Sequence, residues 1–289
     1  MRQQSFTHHY LPQFYLRPWV GADGLMCEFS RPRSLLEARR KSPKATAHER
    51  HLYTVTGLPP EQQGVLEDEF FRMTDQAAYD ALSFMLANLD GTADMPSKLR
   101  SGWSRFILSL IHRTPERVAL LKEKCRVGLA ERLAEIEPVY DDFRTPSDPA
   151  TFAELKAGMR HDVEHKTWAV LLQDVIDSAT AGTFLNAMRW SIVTVKKPRH
   201  SLLTSDRPVH MTNGLDHPEG QIILPVGPTQ MFVAVNTAEM EQVLRACDPC
   251  CLTRLVNNKT ATEARKYVYD TDDRQLRFVG NRLRYGVHP

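Results

Sequence analysis

Two adjacent histidines, His8 and His9, open an aromatic stretch, and Arg17 follows eight residues after His9. An imidazole exchanges a proton near neutral pH, and a planar guanidinium suits a phosphate or carboxylate. These residue types fit acid–base work on an anion. The structural alternative is a plug, with Tyr10, Phe14, Tyr15 and Trp19 packing the segment down while His9 and Arg17 satisfy backbone carbonyls. Leu203-Thr204-Ser205-Asp206-Arg207-Pro208 delivers a carboxylate to a strand end before a proline turn. Asp206 would orient His9 or a metal-bound water, or else cap the turn by accepting backbone N–H groups. Ser205 lacks a G-x-S-x-G elbow and is not read as a nucleophile. Arg113 ends a helix at the edge of its apolar stripe, where it can reach a cleft or simply complement the negative helix end. Asn257 and Arg265 would lie near one face of a C-terminal helix and bind substrate, or join helix to sheet. His9 and Asp206 are thus the candidate catalytic pair, and Arg17, Arg113, Asn257 and Arg265 the candidate substrate-binding set.

His161-Asp162-Val163-Glu164-His165 satisfies H-x-x-E-H on an expected helix, so a zinc peptidase using His161, Glu164 and His165 is a further reading. The surrounding charge favours a solvated face instead. Cys247, Cys250 and Cys251 form a CxxCC cluster without a second ligand pair, so no metal is assigned and any cofactor stays open. No G-x-x-x-x-G-K-[ST] is present, nor a G-x-G-x-x-G following a strand. Lys196 and Lys197 follow a strand that carries no acid, which counts against a restriction-type nuclease core.

These groups sit on 289 residues with 42% hydrophobic and 25% charged content, the balance of a globular chain. The 37 Lys and Arg against 35 Asp and Glu leave +2, so the molecule is not a global nucleic-acid binder. Positive charge is local. Arg31 to His51 has seven basic and two acidic residues, and Arg189 to His210 five and one. An anionic small molecule or a nucleic acid is the expected partner, drawn to these segments unless they are merely solvated. Met1 to His9 is polar, the next apolar cluster is broken by Pro12, Arg17 and Pro18, and the five cysteines are sparse and odd in number. The expectation is a reducing, cytoplasmic location with no membrane partner.

The elements that must position these residues fall into blocks. Residues 1–58 read as an irregular arm, 59–182 as helical, and 183–289 as strands followed by helices. Trp103, Phe106, Ile107, Leu110 and Ile111 mark one amphipathic helix, and Thr114-Pro115-Glu116 starts the next. Residues 151–181 read as one long helix. Residues 190–195, 201–204, 221–224 and 231–235 read as strands, 237–246 and 252–269 as helices, and 275–280 as a last strand. Segregated elements predict an α+β protein, mostly helical, with a small mixed or antiparallel sheet in its C-terminal half, as a single unit over 1–289.

Five segments carry a family resemblance: His8-His9-Tyr10-Leu11-Pro12-Gln13-Phe14-Tyr15-Leu16-Arg17, Ser42-Pro43-Lys44 with Leu52-Tyr53-Thr54, His112-Arg113-Thr114-Pro115, Leu203 to Val209, and Val256-Asn257 with Ala264 to Tyr269. In order and spacing the chain, from about residue 7 to 270, resembles the bacterial family called domain of unknown function 4238. The resemblance implies one architectural unit and no particular activity. Two functions follow from the residues: a hydrolase acting on a phosphate-containing or otherwise anionic substrate (a nuclease included), or a non-enzymatic binding protein.

Overall fold

The computed structural model describes residues 6–56, 58–89, 94–158, 162–195 and 200–284. It is α+β. The helices are α1 (Gln13–Leu16), α2 (Arg72–Ala87), α3 (Ser97–His112), α4 (Pro115–Ile136), α5 (Tyr140–Phe143), α6 (Phe152–Gly158), α7 (Asp162–Ile176) and α8 (Ala179–Ala187), then α9 (Ala238–Ala246), α10 (Pro249–Glu263) and α11 (Leu276–Gly280). A π-helical turn, Leu66–Phe71, leads into α2. Gly102 lets α3 approach α2 closely, because a Cβ there would sit 3.0 Å from the Ala77 methyl.

The strands form three antiparallel sheets. β1 (Thr7–His9) pairs with β4 (His48–Arg50), opposing His9 to His48. β2 (Met26–Ser30), β3 (Glu37–Lys41), β6 (Thr204–Ser205) and β10 (Tyr267–Asp270) are ordered β3-β2-β10-β6. The third sheet, β5 (Arg189–Thr194), β7 (His210–Thr212), β8 (Gln221–Gly227) and β9 (Gln230–Val235), is ordered β5-β9-β8-β7. Trp103 on α3 meets Phe232 on β9 edge to face at 5.4 Å, and Trp190 meets the same ring at 5.2 Å. Aromatic packing of this kind seats the helices on the third sheet.

Five expectations are corrected. Sheet is not confined to the C-terminal half, because the arm supplies β1 to β4. The stretch 252–269 ends its helix at Glu263 and continues as β10, and 275–280 holds the short helix α11 rather than a strand. Residues 151–181 break into α6, α7 and the start of α8. The basic segment 31–51 is not an open anion-facing loop: Arg40 pairs with Asp23 at 2.6 Å, Lys41 with Glu28 at 3.0 Å, and Arg31 donates to Gly280 O at 2.6 Å. Three of its seven basic side chains, Arg39, Arg40 and Lys41, pair with carboxylates.

Candidate functional site

The N-terminal motif is an anchored segment with one polar wall. Tyr15 donates to Pro225 O at 2.8 Å, and Trp19 Nε1 donates to Leu202 O at 2.8 Å. Both rings are buried, so the segment is fixed to backbone some two hundred residues away. His8 is buried and accepts the Tyr53 N–H on Nδ1 at 2.8 Å, which holds that nitrogen unprotonated. His9 alternates to the other face. Its Nε2 donates to Lys44 O at 3.2 Å, and burial lowers its pKa from 6.5 against the pull of that bond.

A cavity of about 810 Å³ opens here, walled by His9, Arg17, Lys44, Glu67, Arg72 and Asp75 among others. Arg113 does not line it: wholly buried, it reaches the cavity only through the wall residues Asp75 and Phe71. Its Nε donates to Tyr10 O and its Nη1 to Asp75 Oδ1, each at 2.8 Å, while Nη2 has no hydrogen-bond partner among the described residues. Phe71 and Phe106 lie 5.5 and 5.8 Å from the guanidinium carbon. Glu67 sits on the π-helical turn, a form of backbone often found at functional sites. Burial pushes its carboxyl up to about 7, with Arg113 opposing and Asp75 reinforcing. Burial also raises Asp75 against the Arg113 charge. The arrangement is an imidazole held below its usual pKa and a carboxyl raised to about 7, with Arg17, Lys44 and Arg72 on the walls.

Asp206 stands elsewhere. Its Oδ1 accepts the Arg265 N–H at 2.8 Å, and its Oδ2 accepts those of Lys266 and Tyr267 at 2.6 and 3.2 Å. The side chain is buried and caps the entry to β10. Burial pushes it up to about 6, with the three N–H bonds opposing. Asn257 is also internal: its Oδ1 accepts Leu203 N–H at 2.8 Å, and its Nδ2 donates to Ser201 O at 2.8 Å and to Gln275 Oε1 at 3.1 Å. Arg265 lines a second cavity, of about 570 Å³, at the head of α4. The structure therefore places His9 and Arg17 on one cavity with Arg113 buried behind its wall, places Arg265 at another, and leaves Asp206 and Asn257 tying backbone.

Glu67 and Asp75 were not legible as site residues; the only signal was the acidity of the segment before α2. His210 also escaped notice. Its Nδ1 lies 3.1 Å from Glu263 Oε2 and its Nε2 2.8 Å from Thr260 Oγ1. The connectivity is that of a carboxylate–imidazole–hydroxyl relay, but Thr260 is wholly buried, so no substrate reaches its oxygen. Of the H-x-x-E-H stretch, His161 lies outside the described residues, and Glu164 and His165 fall on α7. Among the described residues no three His, Cys, Asp or Glu gather as metal ligands, and no helix is long and apolar enough to cross a membrane.

The fold and cavities define an α+β protein whose N-terminal segment is threaded into its sheets beside a polar cleft. The chain belongs to the family described as "Protein of unknown function (DUF4238)", whose model matches residues 7–274. No curated protein and no solved structure matches it.

Proposed function

We propose that the protein is a hydrolase acting on an anionic substrate in the N-terminal cavity, with His9 and Glu67 as its acid–base pair. The observation that carries this reading is their meeting on one open cavity. The His9 backbone lies near enough to Glu67 to favour its charged form, so the two groups stand side by side on the cavity wall. His9, whose partial burial favours the neutral imidazole, takes a proton from the attacking water. Glu67, protonated for much of the time near pH 7, gives one to the leaving group. Arg17, Lys44 and Arg72 hold the anion, and Arg113, buried behind the wall, fixes Asp75 in place. This assignment moves the carboxylate role from Asp206, whose oxygens are engaged by backbone, to Glu67.

A binding protein without turnover is the second reading, favoured by the internal bonding of Asp206 and Asn257. One experiment separates the two. Wild type, His9→Gln and Glu67→Gln are incubated with a panel of phosphate monoesters and diesters, nucleotides, RNA and DNA. Product formed by wild type and lost in both variants supports the hydrolase. Saturable binding with no product from any panel member replaces it with the second reading.

A further inference from the structure

The second cavity has the construction of an anion site, and it stands apart from the acid–base pair. α4 begins Thr114-Pro115-Glu116-Arg117. Thr114 occupies the position from which a hydroxyl ordinarily accepts a first-turn N–H, yet it makes no such bond. The Glu116 and Arg117 amides at the positive end of this 22-residue helix therefore lack their usual cap. Thr114 is 4% exposed and lines the cavity, and its Oγ1 has no partner among the described residues. A buried hydroxyl left without a bond is costly, which points to an absent acceptor.

The charges agree. Arg117, Arg207, Arg265 and Arg284 line the same cavity against Glu116 and Glu263. Glu263 is engaged by Lys259 at 3.2 Å and His210 at 3.1 Å. Glu116 reaches Arg265 and Arg207 only at 3.7 and 3.9 Å, beyond hydrogen-bond length, and the Arg265 Nε has no hydrogen-bond partner. Arg117 and Arg284 make no ion pair among the described residues. Four guanidinium groups against two carboxylates leave a surplus of two positive charges. Leu110, Ile111, Pro208 and Val209 form an apolar side.

We infer that this cavity binds a phosphate group, seated on the uncapped first turn of α4 and held by Arg117, Arg207 and Arg265. A dianion matches the surplus charge, helix amides and arginine forks are its usual donors, and the apolar side fits the organic body of a monoester. The cavity's volume, about 570 Å³, suits a small ligand. The site does not depend on turnover in the N-terminal cavity, but the two are joined in the chain: Arg113 binds a wall residue of the first, and its neighbour Thr114 lines the second.

The test is isothermal titration calorimetry of the full chain at low salt with two probes, phenyl phosphate and inorganic phosphate. Titrated into Arg17→Gln, so that the N-terminal cavity does not compete, each probe is expected to bind at one site, weakened at least about tenfold when Arg117→Gln/Arg207→Gln is added, because each change removes a charge-assisted bond. Both side chains are on the surface, so the variant folds; Arg284→Gln, with a smaller loss expected, is an independent second variant. His9→Gln should bind as wild type. Tighter binding of phenyl phosphate assigns the site to an ester, and equal binding of the two assigns it to free phosphate. The inference is overturned by no binding of either probe at millimolar concentration, by binding indifferent to the arginine changes, or by binding lost in His9→Gln instead. The hydrolase reading fails on a different result, the absence of product, so the two failures cannot be confused.

Discussion

Arg113 Nη1 donates to Asp75 Oδ1 at 2.8 Å, with the arginine side chain sealed from solvent and the aspartate 25% exposed. The pair joins the C-terminal end of α3 to the first turn of α2. Through Nε the same guanidinium grips Tyr10 O, so the N-terminal segment is fixed by it as well. Its backbone carbonyl accepts the Tyr53 hydroxyl at 2.5 Å.

Arg113→Lys should therefore behave as a severe change. A lysine cannot reproduce the fork that serves Tyr10 O and Asp75 together. Losing one hydrogen bond of a charged group costs about 1.5–3 kcal/mol, so a loss in that range is expected from urea unfolding. A loss within error would mean that the guanidinium bonds contribute nothing net.

Glu67 gives a stability prediction with a definite sign. Burial raises its carboxyl from 4.5 to about 7, so the fold prefers the protonated form. That preference stabilises fully below pH 4.5 and is lost as pH rises through about 7. Glu67→Gln is neutral at every pH. Its Tm should match wild type near pH 4 and exceed it by roughly a few °C near pH 8. A wild type that gains stability relative to the variant on raising the pH would contradict the burial argument.

Asp206→Ala leaves the N–H groups of Arg265, Lys266 and Tyr267 without their acceptor. A loss on the order of 1–3 kcal/mol is expected. Hydrogen exchange should accelerate at these three amides while those of α3 keep their protection. An unchanged exchange rate at all three would remove Asp206 from its capping role.

Much of the fold could be read from the chain, and its failures share a cause. β5 and β9 announce themselves by β-branched and aromatic residues, and α3 by its apolar stripe. β3, Glu-Ala-Arg-Arg-Lys, has no alternation, because it is an edge strand whose exposed faces need none. β10 follows α10 after only a short break, and its strand state comes from pairing with β2, far away in sequence. The position of Arg113 was legible because helical periodicity put it on the stripe's border. Glu67 was not, since the π turn shifts the register on which such periodicity rests. The ambiguity at Asp206 was real at the level of sequence: a carboxylate before a proline serves a backbone or a substrate equally well until the amides of 265–267 are seen to reach it.

Asn257 sits in a closed polar network with Gln275, Asp270 and Ser201. Asn257→Leu strands the Leu203 N–H and the Gln275 side chain inside the core. The expected cost is on the order of 3 kcal/mol, read as a lower urea midpoint with an unchanged slope. A network of this kind fails as a unit, so Gln275→Leu added to Asn257→Leu should cost less than the two single losses combined. Strict additivity would show the bonds to be independent.

The acid–base assignment makes its sharpest demand on the pH profile. Activity requires His9 neutral and Glu67 protonated. Burial lowers the His9 pKa below 6.5 and raises Glu67 to about 7, so each is displaced in the direction that its role requires. For the panel substrate that is turned over, kcat/KM should climb as His9 loses its proton, then fall as pH passes about 7. In Glu67→Gln the rate should drop by about 10²–10⁴, and the alkaline fall should vanish from what remains. A residue acting only through packing would lower the curve without reshaping it. Retention of the alkaline limb in Glu67→Gln would thus exclude the carboxyl as the proton donor even if the rate fell.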